Sequence, residues 1–451
     1  MANDFRTSID RHQIEENFAE LHPLMSRAEA LAEANRCLYC FDAPCMHACP
    51  THIDVPSFIK KIASGNLKGS ARVIFDANPI GSTCARVCPV EALCEGACVE
   101  KTLVQKPIEI GRLQRYATEH TLTDGEPVFA SGEANGLSVG LVGSGPAGLS
   151  CAAYLARLGY AVTVYERRAE PGGLDTYGMA EYKMTRAASL AEVGLIGKMG
   201  VKFVTQTSVV ADGSEAAAGA ITAGELRSRH DAVVIAAGLG ATNRLNIPGE
   251  DLPGVTDALT FIEAIKTRDW SSVPLGRRVA VIGAGNTAID AATQAKRLGA
   301  ESVMLVYRRT AADAPAYDYE MELARHDGIE FHWQTTPLEI TGNGRVEGLR
   351  CKLADGGEAV IDCDQVIKAI GQAKLGPSLS DMFGVEIDEK GRILVDDEMR
   401  TSEAGVFAAG DCVNGGAEAV DAAQMGKRTA IGIHHSLTGE RVTFAGSGFS
   451  K

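Results

Sequence analysis

Eight of the twelve cysteines fall between Cys37 and Cys98, spaced Cys37-x2-Cys40-x4-Cys45-x3-Cys49-Pro50 and then Cys84-x3-Cys88-Pro89, Cys94 and Cys98. Short intervals on turns and helix ends gather thiolates, and a following proline stops simple helical continuation, as iron-sulfur clusters require. A disulfide framework suits a small secreted domain. This chain has 451 residues and no apolar leader across Met1 to Ala30, so it is expected to be otherwise. Four-cysteine zinc is the stronger rival, but it usually closes one tetrahedron from two separated pairs. Four thiols within thirteen residues, followed by four within fifteen, instead predict two clusters.

Thiolate ligands need a reducing compartment, so a cytoplasmic location is expected. A net charge of -14 argues against a nucleic-acid surface, and no apolar run approaches the roughly 20 residues of a bilayer span. The 45% hydrophobic content suffices for buried cores, and the length leaves room for about three domains.

Ile14 to Arg36 reads as one helix, with Leu21, Leu24, Ala28, Leu31 and Ala32 as its apolar stripe. Val55 to Phe75 is again helical, and Gly65 and Gly69 divide it in two. The polar segment from Thr121 to Gly136 reads as a linker. Beyond it, short apolar runs alternate with amphipathic helices, the pattern of a parallel sheet with helical crossovers.

Two strand-turn-helix-strand units stand out. The first runs Leu137 to Val142, Gly143-Ser144-Gly145-Pro146-Ala147-Gly148, a helix from Ala147 to Leu158, and a strand from Ala161 to Tyr165. Gly143 permits the tight turn, Gly145 lets backbone approach a pyrophosphate, and Gly148 lets helix and strand pack closely. Glu166, 23 residues after Gly143, is placed to accept hydrogen bonds from an adenosine ribose. Downstream come Pro171-Gly172-Gly173-Leu174, then Val234-Ile235-Ala236-Ala237-Gly238, and finally Gly405-Val406-Phe407-Ala408-Ala409-Gly410-Asp411. On these residues the chain resembles FAD-binding flavoproteins with two dinucleotide-binding domains, which implies that Gly173, Leu174, Gly238, Gly410 and Asp411 face FAD.

The second unit, Arg278 to Ile282, Gly283-Ala284-Gly285-Asn286-Thr287-Ala288, a helix to Leu298 and Ser302 to Val306, resembles the NAD(P)-binding insertion of the same flavoproteins. Its ribose acid is missing: the strand ends Tyr307-Arg308-Arg309, whose guanidiniums suit a 2'-phosphate unless they pair with an acid such as Asp313. The coenzyme is therefore written NAD(P)H. Cys151, Cys351, Cys363 and Cys412 form no Cys-x-x-Cys pair and are expected as buried core residues. Flavins take two electrons as a hydride and release them singly, and clusters accept one at a time, so the combination reads as an electron conduit. Hydride transfer requires no general acid or base, so no catalytic side chain is expected.

Nearly the whole chain resembles the family of the glutamate synthase small subunit and the N-terminal half of dihydropyrimidine dehydrogenase. The second is the better match, on Arg36-Cys37-Leu38-Tyr39-Cys40-Phe41-Asp42-Ala43-Pro44-Cys45, Asn78-Pro79-Ile80-Gly81 and Pro107 to Glu119. The resemblance implies a helical domain over 1–125 with two 4Fe-4S clusters and a linker over 126–136. An FAD-binding domain over 137–268 and 376–451 and an inserted NAD(P)-binding domain over 269–375 follow. The expected fold is thus an all-helical iron-sulfur domain joined to two Rossmann-like parallel sheets (α + α/β). The resemblance also implies interleaved ligand sets: Cys37, Cys40, Cys45 and Cys98 for one cluster, and Cys49, Cys88, Cys94 and the amide oxygen of Gln114 for the other. Residue chemistry alone favours Cys84 over a glutamine. Lys183, by family resemblance near the flavin edge, is more commonly an exposed lysine and is left out of the site. The function implied is electron input, NAD-dependent in that family, to a partner subunit that carries FMN and iron-sulfur centres and reduces uracil or thymine, in a heteromer expected as a heterotetramer. The alternatives are a glutamate synthase small subunit or a stand-alone NAD(P)H:ferredoxin-type oxidoreductase.

Overall fold

The computed structural model describes residues 9–214 and 219–446. The chain forms two compact units, one built from His22–Thr176, Ala187–Leu239 and the residues from Lys374 onward, the other from the residues up to Leu21, Tyr177–Arg186 and Gly240–Ala373.

The helix expected over Ile14 to Arg36 is two helices, Arg11–Asn17 and Arg27–Ala34, one in each unit. Pro23 lies between them, without an N–H and hostile to helical backbone at His22. Ser26 and Glu29 then restart the chain with a capping box. The first helix buries Ile14 and Phe18 in the core of the second unit, where Phe18 stacks on Trp270 at 4.8 Å. Val55–Ala63 and Leu67–Ala77 are separate helices, divided at Gly65 (φ 77°), with Asn66 capping the second through the N–H of Gly69. Helix Ile110–Asp124 runs into the segment read as linker and stops at Gly125 in the left-handed conformation. The remainder is not free of the core: the Arg157 guanidinium lies 3.9 Å from the centre of the Phe129 ring.

In the first unit five parallel strands lie in the order Val406–Ala408, Ala232–Ile235, Ser138–Val142, Ala161–Tyr165, Lys202–Val204. The second repeats the design in the order Glu330–His332, Ser302–Val306, Arg278–Ile282, Gln365–Lys368, Val255–Asp257, beside an antiparallel sheet of Thr336–Thr341, Gly348–Lys352 and Glu358–Asp362. Val255–Asp257 pairs with Gln365–Lys368, and the longest segment of this unit runs from Gly240 to Ala373. The short strand carries too little pattern to show that from sequence. Among the described residues no helix is long and apolar enough to cross a membrane.

The helical cysteine-bearing region and the first parallel sheet share one compact unit, and polar contacts bind them. Tyr154 and Arg157 of helix Pro146–Arg157 reach the Asp76 carbonyl (2.9 Å) and carboxylate (2.7 Å). Glu192, on helix Arg186–Lys198, accepts from Ser82 N (2.7 Å), Thr83 N (3.1 Å) and Thr83 Oγ1 (2.5 Å) at the start of helix Gly81–Val87. Helix Pro146–Arg157 crosses Ala419–Thr438 so closely that a Cβ on Gly426 would stand 2.2 Å from the Ala147 carbonyl oxygen.

Burial pushes the Glu192 carboxyl up to about 7 against the lowering pull of Thr83 and the two backbone N–H groups. Unfolded, it titrates near its ordinary value of roughly 4.3. Between those values the folded state binds the extra proton, so its contribution to stability falls as pH rises through the window, by roughly 4 kcal/mol in all. Glu192→Gln has no such titration. The melting-temperature advantage of the native chain over this variant is expected to shrink between pH 5.5 and 8; an advantage constant across that range would contradict the assignment.

Candidate functional site

The first glycine turn follows strand Ser138–Val142 at the carboxyl edge of its sheet, where open α/β sheets bind ligands. Gly143 takes φ 100°, and a Cβ there would meet the Ala236 carbonyl oxygen at 2.4 Å. One on Gly148 would meet the Gly143 carbonyl oxygen at 2.2 Å. Gly145 and Gly238 instead face open space, as an approaching phosphate needs. Glu166 is buried at the end of strand Ala161–Tyr165 and accepts from Ser144 N (3.2 Å), Ser144 Oγ (2.5 Å) and Arg168 N (2.8 Å). Ser144 Oγ accepts in turn from Gly172 N (3.0 Å), and a Cβ on Gly173 would lie 2.7 Å from Gly145 Cα. Leu174 opens the short helix Leu174–Tyr177 directly after this doublet. Ala147 neighbours Gly410, whose own Cβ would sit 3.0 Å from that of Ala147. Asp411 begins helix Asp411–Asn414, accepts from Ala417 N (3.3 Å), and is raised by burial above the usual carboxylate range. Gly143, Gly145, Ala147, Gly148, Glu166, Gly173 and Gly410 are thus brought together at the carboxyl edge of this sheet, an arrangement that fits a dinucleotide. Ser144, which ties Glu166 to the glycine doublet, was legible only as the variable position of the motif.

The second unit holds a cavity of about 740 Å³ lined by Gly283, Gly285, Thr287, Arg308, Arg309 and Arg244, a volume suited to a coenzyme. Gly283 (φ 133°) packs where a Cβ would be 2.2 Å from the Ala369 carbonyl oxygen, and Ala288 is fully buried in place of the third glycine. Asn286 does not line this cavity: its Oδ1 accepts from Tyr317 N (3.1 Å), so it pins the next loop. Arg308 and Arg309 are exposed at the cavity wall, and among the described residues neither is in an ion pair. Asp313, the acid considered as their partner, accepts from Thr310 N (3.2 Å) and Oγ1 (2.6 Å) and is lowered chiefly by these bonds, with a smaller pull from Arg309. Arg244 is bidentate to Asp251 (2.9 Å to each oxygen). Lys183, expected exposed, is held in this unit between Asp290 (2.6 Å) and Glu320 (2.5 Å). It serves to anchor segment Tyr177–Arg186.

Two apolar cradles lie in the helical region. Cys37, Cys40, Cys45 and Cys98 line one, with Ile59, Ile108 and Ile110. Cys49, Cys88, Cys94 and Gln114 line the other, together with Cys84 and, from the start of helix Ala419–Thr438, Val420. Among the described residues no three His, Cys, Asp or Glu side chains converge as on a single metal ion. Burial pushes Cys45 up to about 12, and Cys98 and Cys37 add to the rise. Cys88, through its hydrogen bond to Cys84 and then burial, and Cys94, through burial and then Cys49, are raised as well. Crowded thiols of this kind ionise together only around bound cationic metal, so the donor sets fit iron-sulfur clusters. Gln114 Nε2 donates to the Gly81 carbonyl (2.7 Å), which leaves the amide oxygen available as a donor. Cys84 Sγ accepts from Asn78 Nδ2 (3.1 Å). The second cradle therefore offers five donors for four positions, and the amide carbonyl competes with a thiol already engaged. Gln114→Ala is expected to remove one cluster's electron paramagnetic resonance (EPR) signal and Cys84→Ala to keep both; the reverse result would make Cys84 the ligand.

The family "Pyridine nucleotide-disulphide oxidoreductase" matches residues 137–426, and "Dihydropyrimidine dehydrogenase domain II, 4Fe-4S cluster" matches residues 14–126. The chain is 34% identical over 421 residues to the NAD-dependent dihydropyrimidine dehydrogenase subunit PreT of Escherichia coli K12, covering 93% of this chain and 97% of the relative. It is 32% identical over 454 residues to the glutamate synthase [NADPH] small chain of the same organism, covering 93% and 94%. In fold it is similar to the thioredoxin reductase of T. acidophilum, with a TM-score of 0.53 and 24% identity over 66% of this chain and 97% of that one. The chain belongs to the pyridine nucleotide-disulphide oxidoreductase family, in the branch that carries an N-terminal 4Fe-4S domain of the dihydropyrimidine dehydrogenase type.

Proposed function

We propose that this oxidoreductase is the electron-input subunit of a dihydropyrimidine dehydrogenase, delivering electrons from NAD(P)H to a partner subunit that carries FMN and iron-sulfur centres and reduces uracil or thymine to the 5,6-dihydropyrimidine. The observation that carries the reading is that the dinucleotide groove and both cysteine cradles belong to one compact unit, in which helix Ala419–Thr438 follows Asp411 and lines the second cradle with Val420. Near full-length similarity to the PreT subunit supports it. Bound FAD would supply the exchange between two-electron hydride chemistry and the one-electron chemistry of two 4Fe-4S clusters.

The chain's own residues bind and position. Gly145 leaves room for the pyrophosphate, Glu166 receives the adenosine ribose, and Asp411, with a single backbone donor, offers its other oxygen to the hydroxyls of the flavin's ribityl chain. The cradle residues hold the clusters in apolar surroundings that exclude water from the electron exit. No side chain here is assigned to pyrimidine, whose reduction falls to the partner.

Arg308 and Arg309, in no ion pair among the described residues, favour a coenzyme bearing a 2'-phosphate, and the glutamate synthase relative is named for NADPH. The PreT relative is named NAD-dependent. Replacing both arginines by alanine is expected to raise KM for NADPH about tenfold or more, the order of one or two lost charge-assisted contacts, and to leave KM for NADH within about twofold. Equal losses for both coenzymes would remove the arginines from coenzyme choice.

The function is tested by coenzyme-dependent uracil reduction with and without a pyrimidine-reducing FMN subunit. Turnover only in the reconstituted pair is expected. Turnover instead with glutamine and 2-oxoglutarate beside a glutamate synthase large subunit would replace this reading with that of the second relative.

A further inference from the structure

Lys427 is a charged group that neither cofactor binding nor surface solvation accounts for. It lies midway along helix Ala419–Thr438 with its side chain wholly buried (0% exposed). Its Nζ donates to two carbonyls, Thr51 (3.1 Å) and Ala445 (2.9 Å), with the Tyr154 ring centre 5.8 Å away. Among the described residues no carboxylate pairs with it. The acid that acts on it at longer range, Asp76, is committed to Arg157 at 2.7 Å.

A buried ammonium without a counter-ion is costly, and carbonyl dipoles alone do not neutralise it. The polypeptide that Lys427 grips points to what does. Thr51 lies two residues beyond Cys49, and its hydroxyl is 3.3 Å from Cys49 Sγ. Two turns earlier on the same helix Val420 lines the cradle to which Cys49 belongs. Burial draws the ammonium down to about 7, and Cys49 is the strongest influence in the opposite direction. The chain therefore directs one desolvated positive charge at the second cradle.

We propose that Lys427 is the counter-charge of the cluster in the second cradle and sets its reduction potential. This rests on the reading of that cradle as a 4Fe-4S site. Reduction adds one electron to the cluster, supplied by the coenzyme through the flavin, with no bond made and no proton required. Where Lys427 is protonated, the added negative charge lies in the field of its ammonium at low dielectric, so the reduced form is stabilised relative to the oxidised one. Lys427 touches no reacting atom and acts as a tuning residue through the field at Cys49.

The experiment is an EPR-monitored redox titration of the full-length protein loaded with flavin and iron, native and with Lys427→Gln or Lys427→Met. Glutamine keeps two N–H donors for the Thr51 and Ala445 carbonyls while removing the charge; methionine removes both. In both variants, at the native midpoint of the second-cradle cluster, its reduced-to-oxidised ratio is expected to fall about tenfold or more, a shift of about 59 mV for one electron. The first-cradle cluster and the flavin are expected to keep their midpoints. A native midpoint in Lys427→Gln, or an equal shift of both clusters, would overturn the proposal. A native protein with no second cluster would instead refute the reading of the cradle itself.

Discussion

The burial of closely spaced cysteine thiols constrains the N-terminal third of this protein. Each cradle gathers cysteines whose burial and proximity drive one another's ionisation up the pH scale, so the array is electrostatically complete only around cationic metal. The helices that present them are short, four to fifteen residues, and their own core is a modest cluster around Phe58, Ile59, Ile62 and Leu113. Such elements gain little from helix propensity and depend on tertiary packing and on what the cradles hold.

The neighbouring sheet supplies much of that packing. Glu192 satisfies the first N–H groups of the helix that leads to Cys84 and Cys88, Tyr154 and Arg157 fasten Asp76, and Lys427 grips the chain beyond Cys49. Two of these three ties are buried ionisable groups, an expensive way to join two regions. One of them, Lys427, holds the polypeptide next to Cys49, which lines the second cradle.

Much of this was legible in the sequence, because some residues answer to local geometry alone. Gly143, Gly148 and Gly283 occupy positions where a Cβ would collide with backbone, and both strand-turn-helix units lie where their spacing puts them. The pairing of Cys98 with Cys37 rather than Cys94 is tertiary, and only the family resemblance anticipated it. Residue chemistry favours Cys84 and the family resemblance Gln114, and both line the cradle. The helix break at Pro23 is local, set by the proline and the Ser26 capping box, whereas the assignment of Val255–Asp257 to the second sheet, the diversion of Asn286 to Tyr317 and the burial of Lys183 by Asp290 and Glu320 all depend on partners distant in sequence. Lys427 gave no signal at all, as a lone lysine in an amphipathic helix reads as solvated surface.

The central claim is that one chain carries a flavin and two cubane clusters, and its most direct test is the chemical composition of the anaerobically purified protein. About eight iron and eight acid-labile sulfide are expected for each FAD. About four of each, or zinc in place of iron, would contradict it.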